Sequence, residues 1–260
     1  VSLICRDISY AYNGADVLHE VGLTVSQGTF CALLGRNGSG KTTLLHCICG
    51  ILRPLRGEIV VNGRPVPAKN GAQRARCLSL VPQEPGHVFP FTVLDLVLMG
   101  RNPYLPAGAQ PGPEDKRIAW QALEILHAEY LASRRVNQIS GGERQLAVVA
   151  RALAQQTPVM LLDEPSNHLD FHNQYRLLYQ IRSLCRTKNL TVLASMHDPN
   201  TVAAVADQVV LLEDGREAGQ GSVDQMLTSQ RLSSLYGMPI AESRLDSGIK
   251  HFMPRLETDL

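Results

Sequence analysis

Aromatic side chains are scarce in this chain, 5% of 260 residues with one tryptophan, which leaves little for the stacking platforms of single-strand nucleic-acid binders. Neither sign of charge dominates. Lys and Arg number 25 against 24 Asp and Glu, and a net charge of +1 gives no electrostatic footprint for nucleic acid. No apolar run approaches the roughly 20 residues a spanning helix needs. Residues 1–12 show no basic-then-apolar leader pattern, so the expectation is a soluble chain on the cytosolic side. Six cysteines are scattered, and only Cys47 and Cys49 lie close together. Two residues apart on a helix they point to nearly opposite faces and cannot chelate one ion. The others stand in apolar, strand-like contexts and read as buried reduced thiols, which implies a reducing compartment.

What the chain does have is an alternation of strands and helices with one interruption. Strand patterns fall at 3–5, 21–25, 30–34, 58–63 and 78–81, then resume at 159–162, 191–195 and 208–212 with helices between them. This βα order predicts an α/β fold whose parallel sheet is covered on both faces. Between about 84 and 145 the pattern is mostly helical. Residues 92–99 have helical spacing with a capping box from Thr92 and Asp95. Residues 102–113 hold four prolines and two glycines and read as a loop. Residues 114–127 form an amphipathic helix with Ile118, Ala122, Ile125 and Leu126 on one face. The expected organisation is therefore a core domain over 1–230 with a helical subdomain inserted at about 84–145. Residues 231–260 form a less regular extension, whose last part, 247–260, is either docked or disordered.

Chemistry concentrates in three stretches. Gly35-Arg36-Asn37-Gly38-Ser39-Gly40-Lys41-Thr42-Thr43 lies between a buried strand and a helix over 42–49. Glycines at these spacings let backbone N–H groups curl around a phosphate, with Lys41 reaching the β- and γ-phosphates and Thr42 a Mg²⁺ ion. The bland alternative is a glycine-rich turn. Second, four aliphatic residues run into Asp163-Glu164 at a strand's C-terminal end, where α/β proteins bind ligands. Asp163 suits a magnesium partner and Glu164 a general base; an exposed acidic turn is the alternative. Third, Ser140-Gly141-Gly142-Glu143 opens a helix. Ser140 and Glu143 have capping-box spacing, while two adjacent glycines are more than a cap needs and suit a second anion-binding helix end. His168 and His172, four apart, also allow a metal pair, though no third ligand is in view.

In their order along the chain these stretches resemble the ATP-binding subunit of ABC transporters, over nearly the whole length. Tyr12 resembles the aromatic that stacks on adenine, and Gln83 the Q-loop glutamine at the metal and attacking water. Residues 139–145 resemble the signature motif, 166–170 the D-loop, and His197 the switch histidine. The resemblance implies a phosphate-loop (RecA-like) NTPase core with an N-terminal antiparallel β subdomain and an inserted helical subdomain. It implies ATP and Mg²⁺ as ligands. ATP would be held by Tyr12, Gly35, Asn37, Gly38, Ser39, Gly40, Lys41, Thr42 and Thr43, with Ser140, Gly141 and Gly142 supplied across a head-to-tail homodimer. Thr42, Gln83 and Asp163 would surround the metal. Glu164, His197, Gln83 and Lys41 would carry catalysis. Partners implied are a membrane permease and, indirectly, a substrate-binding protein, which places the subunit peripherally on the cytoplasmic membrane face.

Two positions depart from the family pattern: Glu143 stands where Gln is common, and Ile139 where Leu is common. Residues 92–104 are similar to the stretch after the Q-loop in importers of iron chelates, haem and cobalamin. His197-Asp198-Pro199-Asn200 and His251-Phe252-Met253-Pro254 are similar to the molybdate and tungstate branch. No residue here contacts the cargo. A non-transport ABC ATPase acting on nucleic acid or ribosomes would bring coiled-coil or tandem extensions and a basic face, and neither is visible. A phosphoryl-transfer kinase has no use for the Ser-Gly-Gly helix end.

Overall fold

A computed structural model describes residues 2–67, 70–83, 90–167 and 169–255. The chain opens with an antiparallel pair, β1 (Leu3–Tyr12) and β2 (Ala15–Val25), then passes through β3 (Phe30–Leu34) into α1 (Lys41–Cys49). β4 (Arg56–Val61) and β5 (Arg64–Pro65) return beside β1, giving an antiparallel sheet in the order β2-β1-β4-β5. After α2 (Gly71–Ala75) and β6 (Leu78–Val81) the helical run begins: α3 (Val93–Leu98), α4 (Pro113–Ile125) and α5 (Gly141–Ala154). Then β7 (Val159–Asp163), α6 (Phe171–Lys188), β8 (Thr191–Met196), α7 (Pro199–Val205), β9 (Gln208–Glu213) and β10 (Arg216–Ser222) complete a second sheet. Its order is β10-β9-β3-β8-β7-β6, parallel throughout except for the antiparallel edge strand β10. The chain ends with α8 (Val223–Met226), α9 (Ser229–Tyr236) and a hairpin of β11 (Ile240–Arg244) and β12 (Lys250–Pro254).

β3 shows why the sheet needs cover on both sides. All five of its residues are buried, and strand alternation sends Phe30, Ala32 and Leu34 to one core, Cys31 and Leu33 to the other. The first core includes α5, α6 and α7; the second packs α1 and the antiparallel sheet against the opposite face. This is the expected α/β architecture. No helix among the described residues is long and apolar enough to cross a membrane.

Three local expectations change. The proline-rich loop expected over 102–113 begins inside a 3₁₀ turn, Met99–Tyr104, which tolerates Pro103 because Arg101 and Tyr104 anchor it to the end of α5. The first strand runs to Tyr12 rather than stopping at Cys5. Register shifts between Cys5 and Ala11 let it keep pairing with β2 where its apolar alternation fails. The C-terminal extension is regular as far as Pro254: Leu232 and Leu235 of α9, Ile240 and Phe252 are buried, and the hairpin packs on α7. Residues 256–260 lie outside the described residues, as does His168, and with it the histidine pair. The cysteines are free thiols; burial pushes Cys47 and Cys185 up to about 12 and keeps them inert.

Candidate functional site

The site starts where β3 delivers the chain into its glycine-rich loop. A side chain at Gly35 would run into the Leu212 carbonyl oxygen and Ser39 Oγ, and Gly40 holds φ of +97° at the head of α1. No side chain caps α1 and its first turn carries no acidic residue, so its N–H groups and dipole are left for an anion. Ser39 Oγ is buried and makes no hydrogen bond among the described residues. Lys41 is only 5% exposed; its Nζ donates to the carbonyls of Gly35 (2.8 Å) and Arg36 (3.0 Å). Burial lowers its pKa, and the carboxylates of Glu164 and Asp163 pull it back up. The loop is thus a compact positive cradle, with Thr43 buried behind it.

Carboxylates face the cradle from the end of β7. Asp163 Oδ1 accepts from Thr42 Oγ1 at 3.1 Å and from Ser195 Oγ at 2.6 Å. Ser195 Oγ in turn accepts from the Glu164 backbone N–H at 2.8 Å. Glu164 sits at φ of +45°, a left-handed turn that swings its side chain off the strand. Its Oε2 accepts from Gln83 Nε2 at 3.1 Å and from Asn167 Nδ2. Lys41, Thr42, Gln83, Asp163 and Glu164 are therefore brought together as the sequence predicts. Ser195 joins them without a role in the sequence reading, and Asn167, expected only as part of the D-loop, bonds Glu164 directly. The signal for Ser195 was a buried hydroxyl at the end of a strand that is apolar from Val192 to Ala194, since such a group needs partners. Asn167 lies three residues from Glu164, a spacing that lets its amide reach back.

Other predicted residues stand apart. Ser140 caps α5: its Oγ accepts from the Glu143 N–H (3.2 Å), and Glu143 Oε2 accepts from both the N–H and the hydroxyl of Ser140 (2.9 Å each). These bonds, with a lesser pull from Arg134, hold the Glu143 carboxyl below the usual range. Ser140 and Gly142 line a cleft with His127, Tyr130, Leu169 and Arg176, and no hydrogen bond joins 140–142 to the phosphate loop among the described residues. Tyr12 is 44% exposed, with its ring edge-on to Tyr10 at 4.8 Å. His197 is exposed just beyond β8, and its side chain makes no hydrogen bond among the described residues.

A buried lysine in a phosphate cradle, a threonine–aspartate pair and a glutamate next to that aspartate at the end of β7 define a phosphate-loop ATPase. Residues 18–167 match the family model described as ABC transporter. Over 236 residues the chain is 36% identical to the "Probable iron chelatin transport ATP-binding protein" of Helicobacter pylori, covering 90% of this chain and 92% of that one. It is 34% identical over 261 residues to the "Molybdate import ATP-binding protein MolC" of Haemophilus influenzae, covering 99% and 98%. Among solved structures it is similar to a metal-chelate type ABC transporter in an inward-facing conformation, with TM-score 0.87 and 34% identity over 100% and 99% of the two chains. The chain belongs to the ABC transporter family: it is an ATP-binding subunit, an ATPase coupled to transport.

Proposed function

We propose that this chain powers a membrane importer for a metal-containing cargo: an iron chelate, haem, cobalamin, or molybdate or tungstate. What supports the cargo class is the likeness to an iron chelatin transport protein, a molybdate import protein and a metal-chelate type transporter, together with the similarity of 92–104 and 251–254 to such importers. The subunit works peripherally on the cytoplasmic membrane face, against a permease served by a substrate-binding protein. Two copies close head to tail on two ATP, so that Ser140, Gly141 and Gly142 of one copy face the γ-phosphate held by Lys41 of the other. The lack of any hydrogen bond between residues 140–142 and the phosphate loop among the described residues supports that arrangement.

In the site Lys41 clamps the phosphates, the amides of residues 35–43 cradle them, and Tyr12 stacks on adenine. The buried, unpartnered Ser39 Oγ and the open head of α1 fit a triphosphate. The Thr42 hydroxyl and Asp163 carboxylate, already 3.1 Å apart, fit Mg²⁺, with Gln83 bonded to the adjacent Glu164 as the further group expected at the metal. Held there, a magnesium ion would supply positive charge against the phosphates. Glu164 takes the proton of the attacking water; the amides of Gln83 and Asn167 orient its carboxylate, and Ser195 fixes its backbone. His197 contacts the γ-phosphate.

The observation that carries this reading is the chain of bonds from Thr42 through Asp163 and Ser195 to Glu164. Glu164→Gln keeps the shape and removes the base. The variant is expected to bind ATP and dimerise while losing about 10²-fold or more in hydrolysis. Turnover at the parent rate would exclude Glu164 as the base.

A further inference from the structure

His197 lies at a seam. β8 ends at Met196, which the ladder pairs with Leu34 of β3. Asp198 is already the N-cap of α7, accepting from the N–H groups of Asn200 (3.1 Å) and Thr201 (3.0 Å), with Pro199 in the first turn. Both flanks are therefore rigid, and His197 is the one residue between them. Its carbonyl accepts a hydrogen bond from outside the core, from the Tyr236 hydroxyl at 2.7 Å. Tyr236 is the last residue of α9, in the C-terminal extension.

That extension is anchored well enough to act as a fixed support. The Asn200 side chain pairs with both backbone groups of Phe252, accepting from its N–H at 2.8 Å and donating to its carbonyl at 3.1 Å. Phe252 itself is 3% exposed. Buried Lys250 donates to the carbonyls of Leu227 (2.7 Å) and Asp224 (3.1 Å) and pairs with Glu242 at 3.3 Å. Burial and the nearby Asp198 carboxylate push the Tyr236 phenol above its ordinary range, so it stays protonated as a donor.

We propose that Tyr236 is a positioning residue for ATP hydrolysis, its hydroxyl holding the His197 peptide so that the imidazole is presented to the γ-phosphate. This rests on the reading of His197 as the γ-phosphate contact. Segment 229–254 is then part of the switch, and whatever displaces it loosens His197. A histidine aimed by its backbone loses alignment when that backbone rocks, and small misplacements in an active site are costly in rate.

The test is steady-state hydrolysis of Mg·ATP by the full chain in four forms: parent, Tyr236→Phe, His197→Ala and the double variant. Tyr236→Phe keeps the ring and removes only the hydroxyl, so the thermal midpoint is expected within a few degrees of the parent. Its kcat is expected to fall about 3–10-fold with KM for ATP unchanged, and the double variant to be no slower than His197→Ala alone. A parent-like kcat for Tyr236→Phe, or a loss that multiplies with that of His197→Ala, overturns the positioning role. His197→Ala turning over at the parent rate overturns the γ-phosphate reading itself, and the positioning role with it.

Discussion

Glu143 puts a carboxylate in the stretch that resembles the signature motif, a chemically awkward place for one. A carboxylate beside a triphosphate is repelled, yet here both N–H and hydroxyl of Ser140 point at Glu143 Oε2 from 2.9 Å. The charge is turned back onto its own helix. The same bonds hold its pKa below that of the unfolded chain. The sign follows directly: the stabilisation is full above the unfolded carboxyl value of about 4.3 and is lost as pH falls through the lower folded value. Parent and Glu143→Gln should thus differ in thermal midpoint at neutral pH, the parent being higher, because a charged acceptor makes the stronger cap. The gap should close as the pH drops below about 4. Thermal scans from pH 7 to 3 check this; a gap constant across that range would show that the charge does not hold the cap.

Among the elements, α5 links the functional parts, since Ser140 heads it and the turn Met99–Tyr104 closes its other end. Arg101 Nη1 donates to the Ala154 carbonyl and the Tyr104 hydroxyl to that of Gln155, each at 2.9 Å, satisfying carbonyls the helix cannot. Arg101 is 7% exposed, pairs with Asp115 at 3.0 Å and lies 4.2 Å from the Tyr104 ring centroid. Arg101→Ala strands a mostly buried carboxylate, the Ala154 carbonyl and the Gln156 side-chain oxygen, and should cost about 3 kcal/mol. Arg101→Lys should recover little, because a point charge cannot replace the planar fork. Urea titrations of the three forms measure both effects. None of this was legible from composition: the prolines of 102–113 read as a loop, and the groups that order its start lie 53 and 51 residues further on. The boxes at Thr92/Asp95 and Ser140/Glu143 were legible because each is complete within four residues. The phosphate loop likewise carries its chemistry in consecutive positions. Ser195 and the hairpin on α7 depend on contacts that only the folded sheet creates.

At the scale of the whole molecule, no hydrogen bond among the described residues joins the two halves of the chemistry. The cradle and carboxylates sit at the C-terminal ends of β3, β7 and β8, while Ser140 opens on a cleft beside Leu169 and Arg176. If hydrolysis needs both, each copy completes the other. Ser140→Arg separates the two requirements. It leaves Lys41, Thr42 and Asp163 untouched, so ATP affinity of the single chain is expected to stay within about twofold of the parent. It also places a cation at the positive end of α5 and removes the hydroxyl that closes the capping box, at a cost of about 1 kcal/mol. The bulk and charge then occupy the space where a γ-phosphate from the second copy would dock. In the Glu164→Gln background, which is expected to accumulate the closed pair, light scattering should show a dimer with ATP, and adding Ser140→Arg should return the chain to monomer. Hydrolysis by Ser140→Arg alone should fall to background. An ATP dimer that survives the arginine would mean that the Ser-Gly-Gly helix end does not meet nucleotide across the pair.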